Sequence, residues 1–253
     1  MNRKIKPKNH RIGIIGGMGP LAGVQLQELI IKATPAAKDQ DHLEVVCFTF
    51  PSIPDRTESL ENDGGASFSS AVLKAARFLE DAGATVLAIP CNTAHAKLED
   101  IQGEVNIPVL DMIDFVIQEL KAKYANGVSV GLLATNGTLK EKIYEKRGQG
   151  RFRWIIPDEY DQKIITQIIY GIKGGVDPNK FINDIEKIVS YIVQQGAESV
   201  VLGCTELSLF RAQLQKSEYP IVDPLTILAE RLVSLCGTQK KSVKRIELYS
   251  GVR

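Results

Sequence analysis

The sequence lacks what several large classes of function require. Its 253 residues include only four cysteines and three histidines. No two cysteines form a C-x-x-C pair, so neither a disulfide scaffold nor a zinc-type ligand set is indicated. Charge of one sign is also missing. The 31 basic residues meet 30 acidic ones, and no net field favours nucleic acid or an anionic membrane. No apolar run approaches the roughly 20 residues of a spanning helix. The basic start, Met1 to Arg11, carries no apolar stretch of the kind that signal sequences need. A cytoplasmic protein with a small neutral or charged ligand is the resulting expectation.

What is present is a regular alternation. β-rich apolar runs at Ile12 to Ile15, Leu43 to Phe50, Thr85 to Ile89, Val128 to Leu133 and Ser199 to Leu202 are separated by amphipathic helical patterns. This predicts layered α/β architecture with mainly parallel strands. No low-complexity linker interrupts it.

The chain also resembles itself. Gly83-Ala-Thr-Val-Leu-Ala-Ile-Pro-Cys91 and Gly196-Ala-Glu-Ser-Val-Val-Leu-Gly-Cys204 align position for position. Downstream, Pro108-Val-Leu-Asp111 is echoed by Pro220-Ile-Val-Asp223, offset by 112 against 113 for the cysteines. Upstream, Gly13-Ile-Ile-Gly-Gly-Met-Gly19 parallels Gly131-Leu-Leu-Ala-Thr-Asn-Gly137. Three ordered landmarks indicate duplication into two pseudo-symmetric three-layer α/β domains with mainly parallel sheets. The expected division is 1–116 plus 225–253 for the first domain, with a returning C-terminal helix, and 117–224 for the second. Equivalent strand ends then face each other across an interdomain cleft, a usual location for a small-molecule site.

Cys91 and Cys204 sit at those equivalent ends, each followed by residues that start helices, Asn92-Thr93 and Thr205-Glu206. A helix N-terminus favours anions and is expected to lower a nearby thiol's pKa towards neutrality. Alone, either cysteine reads as a small residue packed at a strand end. Their matched positions favour chemistry, in which one thiolate removes a proton from carbon and the other thiol returns one to the opposite face. His95, four residues after Cys91, and Glu206, beside Cys204, are supporting candidates. Taken alone, His95 is an ordinary packing histidine and Glu206 a first-turn charge. Cys47, within a strand, and Cys236, ending a helix, read as small buried hydrophobes.

Several ordered motifs across nearly the whole chain resemble the aspartate/glutamate racemase superfamily, and within it the aspartate racemase branch. They are Ile12-Gly-Ile-Ile-Gly-Gly-Met-Gly-Pro20, Ile53-Pro-Asp-Arg-Thr57, Pro90-Cys-Asn-Thr-Ala-His95, Leu133-Ala-Thr-Asn-Gly-Thr138 and Leu202-Gly-Cys-Thr-Glu-Leu207. The resemblance implies a pyridoxal-independent enzyme, with no cofactor or metal, in which Cys91 and Cys204 are the catalytic pair and L- and D-aspartate interconvert. It implies that Met18, Asn92, Thr93, Thr135, Thr138 and Thr205 bind the substrate. It further implies Arg56, and less directly Lys173, as anchors of the distal carboxylate. A homodimer follows only by family analogy.

Within the superfamily the alternatives are a racemase for glutamate or a broader amino-acid set, then hydantoin racemase or maleate isomerase-like chemistry. A noncatalytic amino-acid-binding protein is a different class that keeps the cleft and loses proton exchange. Gly17-Met-Gly-Pro-Leu-Ala22 fits a dinucleotide turn, but the acidic residue that holds a ribose is missing from the end of the second strand, where Phe50-Pro51-Ser52 stand. The basic tail from Lys240 to Arg253 reads as a solvated end.

Overall fold

A computed structural model describes residues 10–237; the tail from Lys240 and the start before His10 lie outside them. Five runs predicted as strands form β1 (Arg11–Gly16), β2 (Glu44–Thr49), β3 (Val86–Ala88), β4 (Ser129–Ala134) and β6 (Ser199–Gly203). Two short strands complete the set, β5 (Arg153–Ile155) and β7 (Ile221–Val222). The helices are α1 (Pro20–Ala33), α2 (Arg56–Asp63), α3 (Ala66–Asp81), α4 (Leu98–Gly103), α5 (Met112–Lys123), α6 (Asn136–Lys140), α7 (Ile143–Gly148), α8 (Glu159–Lys173), α9 (Ile182–Gln194), α10 (Arg211–Lys216) and α11 (Pro224–Cys236).

Every strand pair is parallel, in two sheets of order β2-β1-β3 and β5-β4-β6-β7. The halves match in register as well as order. Leu87 of β3 bridges Val109, just as Val200 of β6 pairs with Ile221 of β7. In the first half this fourth position is a single bridge. Parallel sheets are covered on both faces, so their central strands read as continuous apolar runs. β4 and β6 are buried at every position, whereas β2, at a sheet edge, is at most half-buried. Cys47 on β2 is accordingly half-buried, a correction to the small buried hydrophobe expected of it.

The helices cover these faces through simple periodicity. On α3, Phe68, Val72, Ala75, Ala76 and Leu79 are buried, and on α9, Ile185, Ile188, Val189 and Ile192 are, the three-and-four spacing of one helical face. They form the outer core of each half. Between the sheets lies a third, shared core, in which Ile12 and Ile14 of β1 and Val130 and Leu132 of β4 pack with α1, α5, α7 and α11. The returning helix α11 packs on α1 and α5 and touches both β1 and β6. The division expected between residues 116 and 117 falls inside α5.

The repeated aspartates now have a physical explanation. Asp111 caps α5 by accepting from the Asp114 amide, and Asp223 caps α11 by accepting from the Leu225 and Thr226 amides. Each satisfies amides that the first helical turn leaves unpaired. The landmark recurs because each half ends by turning an extended segment, a single bridge in the first and β7 in the second, into a helix.

Candidate active site

The C-terminal ends of β1, β3, β4 and β6 deliver one residue group each to a common cleft. The Gly17 turn after β1 supplies Met18, the end of β3 leads to Cys91, Asn92 and Thr93, β4 leads to Thr135, and β6 to Cys204 and Thr205. Asp55, Arg56 and Thr57 at the start of α2 and Lys173 at the end of α8 close the ring around a narrow cleft. Two glycines make the closeness possible. Gly17 has φ +104°, and a Cβ there would come within 2.4 Å of the Phe50 backbone. A Cβ on Gly137 would meet Thr57 Oγ1 at 2.8 Å, so α6 of one half can approach α2 of the other only without a side chain.

Both thiols line this cleft, one from each half. The segments after them are 3-10 turns, Thr93–Lys97 and Thr205–Phe210, where α-helices were expected, and Asn92 makes no capping hydrogen bond. These turns do not lower the Cys204 pKa as expected. Burial and then the charge of Glu206 push this thiol well above its ordinary range, against the pull of Lys173. Its Sγ donates to Glu206 Oε2 at 2.9 Å, while Glu206 Oε1 accepts from the Gly19 amide at 3.3 Å.

The cations are arranged around the same space. Arg56 is only 6 % exposed although it opens a helix. Burial disfavours its charge, but Cys91, Asp55 and Glu206 outweigh that and raise its pKa. Burial likewise disfavours the Lys173 cation, and Cys204 and Glu206 outweigh it. Between them stands Asp55, with Oδ2 3.9 Å from Arg56 Nη2 and 3.8 Å from Lys173 Nζ. Its Oδ1 accepts from the amides of Thr57 and Glu58 and from Tyr170 OH. Burial raises the Asp55 pKa, but the two cations and these amides more than reverse the effect, and the carboxyl lies below its ordinary range.

The polar wall is closely interlocked. Thr93 Oγ1 lies 2.9 Å from both Thr135 Oγ1 and Thr138 Oγ1, which are 3.1 Å from each other. This ring of hydroxyls joins the two halves. Thr138 is fully buried and sits behind the cleft surface, so it supports Thr93 and Thr135 and is not exposed to a ligand. Thr205 Oγ1 donates to the Pro90 carbonyl at 3.3 Å, another bond between halves.

Two buried donors on the wall have no partner among the described residues, Arg56 Nε and Asn92 Nδ2. An unpaired buried donor costs about 1–3 kcal/mol, and an acceptor entering the cleft removes that cost.

His95 does not touch the thiol it follows. Its Nε2 accepts from the Met112 amide at 3.1 Å, which leaves the proton on Nδ1 to be donated to the Cys91 carbonyl at 2.8 Å. Burial lowers its pKa, partly opposed by Asp111, so the ring is a neutral strut between β3 and α5. Of the residues singled out in the sequence, the structure thus gathers Met18, Arg56, Cys91, Asn92, Thr93, Thr135, Lys173, Cys204 and Thr205 on one surface, while Glu206, His95 and Thr138 stand behind it.

Sequence reasoning missed Asp55, Thr57, Tyr144 and Tyr170. Asp55 and Thr57 flank Arg56 within a quoted motif and were within reach. Tyr144 and Tyr170 lie in helical runs that carry no such signal. Among the described residues, no group of three or more His, Cys, Asp or Glu is arranged to hold a metal ion, and no helix is long and apolar enough to cross a membrane. Glu44, the acidic residue nearest to a ribose-holding position, lies at the start of β2 and pairs with Arg11 at 2.8 Å.

The broad specificity amino-acid racemase RacX of Bacillus subtilis (strain 168) is 28 % identical over 229 residues, covering 88 % of this chain and 96 % of that one. The solved structure of Picrophilus torridus aspartate racemase superposes with a TM-score of 0.79 at 29 % identity, covering 92 % of this chain and 96 % of the other. An aspartate racemase homologue from Pyrococcus horikoshii OT3 gives 0.70 at 27 % identity, covering 89 % and 98 %. The profile of the Asp/Glu/Hydantoin racemase family matches residues 15–232, and the chain belongs to that family.

Proposed function

We propose that this protein interconverts L- and D-aspartate by a two-base proton transfer between Cys91 and Cys204, without a prosthetic group. The observation that carries the reading is that the two cysteines, from equivalent strand ends of the two halves, line one small cleft together with Arg56 and Lys173. In one direction the Cys91 thiolate takes the α-proton, the electron pair stays on the α-carbon, and the Cys204 thiol protonates the opposite face. The reverse direction exchanges the roles. Each proton transfer to or from a positioned group contributes about 10²–10⁴ in rate.

The surroundings of the thiols differ, and this supports a division of labour. Arg56 lies beside Cys91, while Glu206 holds the proton on Cys204. When Cys204 acts as the base, its own proton passes first to Glu206 Oε2 and the Cys91 thiolate takes up a proton from solvent, so that Cys91 enters as the thiol; Glu206 releases its proton to solvent afterwards. Arg56 Nε and Asn92 Nδ2 are free to receive carboxylate oxygens, and a guanidinium suits a carboxylate in both charge and shape. Aspartate is preferred here for the similarity to aspartate racemases in sequence and fold. A broader amino-acid range is the second reading, favoured by the similarity to RacX along most of both chains. The division of the chain into 1–116 plus 225–253 and 117–224 belongs to the same proposal.

The test is incubation with each enantiomer of aspartate, glutamate and a panel of neutral amino acids in deuterated water. Inversion is followed by chiral chromatography and α-deuteration by mass spectrometry. Aspartate is expected to invert and to acquire one α-deuterium. Absence of exchange with every amino acid overturns the reading, and exchange confined to other amino acids overturns the substrate assignment.

A further inference from the structure

We propose that Tyr144 fixes the polarity of the Asn92 amide, so that its NH₂ group faces the cleft and receives a carboxylate oxygen of the ligand. This rests on the reading that the cleft binds an amino acid. Tyr144 lies on α7 in the second half and Asn92 follows β3 in the first, so the contact crosses between halves. The phenol oxygen lies 2.6 Å from Asn92 Oδ1. That separation suits an O–H···O bond and is short for N–H···O.

An amide has its acceptor on one side and its donors on the other. Holding Oδ1 towards Tyr144 therefore turns Nδ2 the other way. Nδ2 is buried, without a partner among the described residues, on a residue that lines the cleft and is 2 % exposed. Turned over, the amide presents an acceptor to the ligand, repelling a carboxylate and attracting an ammonium. The phenol hydroxyl thereby selects which end of a zwitterion docks at Asn92.

Tyr144 is well suited to hold this setting. Its ring is fully buried and packs at 5.5 Å and 60° against Trp154 in the shared core, which fixes the hydroxyl in place. Burial, reinforced by Asp223 and Asp111, pushes its ionisation well above the ordinary range, so the hydroxyl keeps its proton. The ring never touches the ligand, which makes Tyr144 a positioning residue.

The experiment is a double-mutant cycle of Tyr144→Phe and Asn92→Ala. KM and kcat are read for both enantiomers, and inhibition constants for succinate, a dicarboxylate without an ammonium. Y144F is expected to raise KM and the succinate constant by about tenfold with kcat changed by less than about threefold. In the N92A background the second substitution is expected to change neither constant. An unchanged KM in Y144F, or the same change in both backgrounds, overturns the proposal, the latter showing that the effect runs through packing. Calorimetric titration of wild type and Y144F with aspartate and with succinate separates the two readings. Ligand binding without turnover counts against the racemase and leaves the Tyr144 comparison intact; wild-type binding of neither ligand overturns both.

Discussion

The Cys204 thiol is directed at a carboxylate, with its Sγ 2.9 Å from Glu206 Oε2 inside the protein. A second bond from the Gly19 amide holds the other oxygen, so the carboxylate is anchored by the first half while it serves a cysteine of the second. Cys91 faces a guanidinium. The two thiols are equivalent in sequence position and opposite in electrostatic surroundings.

That difference predicts the effect of neutralising Glu206. Its charge raises the Cys204 pKa, so in Glu206→Gln the pH at which Cys204 is half-alkylated by iodoacetamide moves downward, as read by peptide mass spectrometry. Racemisation falls about 10²-fold, because the base form of Cys204 loses the group that accepts its proton. A purely structural glutamate would leave the labelling profile in place.

Removing either sulfur tests the pair itself. Cys91→Ala and Cys204→Ala each lower kcat by about 10³-fold or more while circular dichroism and the melting temperature stay close to wild type. Wild-type turnover in either variant is incompatible with two bases.

Arg56→Lys keeps the charge and loses the planar fork. With aspartate, kcat/KM falls by about thirtyfold, ~2 kcal/mol. A neutral amino acid such as alanine loses much less if the guanidinium grips the distal carboxylate. Equal losses for both would move that role elsewhere.

Gly17→Ala addresses the turn that opens the cleft. The positive φ and the 2.4 Å approach to the Phe50 backbone leave a methyl group no room, and thermal denaturation is expected to show a melting temperature lower by about 5–10 °C.

Stability should also decline in alkali. The folded-state pKa of Cys204 lies well above the ordinary 9.0. Between those values the folded chain holds a proton that the unfolded chain has released, so its contribution is fully present below pH 9.0 and is lost as pH rises through the folded value. Urea denaturation of wild type at pH 8 and 10 is expected to show this fall, and C204A to reduce it.

Much of the scaffold was legible because it depends on local chemistry repeated twice. β1 and β4 end in glycine or threonine turns, β3 and β6 lead into cysteine, and Asp111 and Asp223 cap α5 and α11. Apolar runs and caps leave marks that survive duplication. β5 and β7 were not legible, since three and two residues are too few for a period to show, and the parallel neighbour that makes each a strand is distant in the chain.

The sequence by itself determined the two α/β halves, the paired cysteines and the family motifs around them, because each is written in contiguous residues. Only the tertiary structure decided how those groups act. The direction of the Cys204 pKa shift depends on burial and on Glu206. The role of His95 depends on which backbone groups meet its ring, and the orientation of Asn92 on a tyrosine from the other half. Electrostatics and hydrogen bonding depend on distance in space, and chain order does not specify which charge will lie within 3 or 4 Å of which thiol.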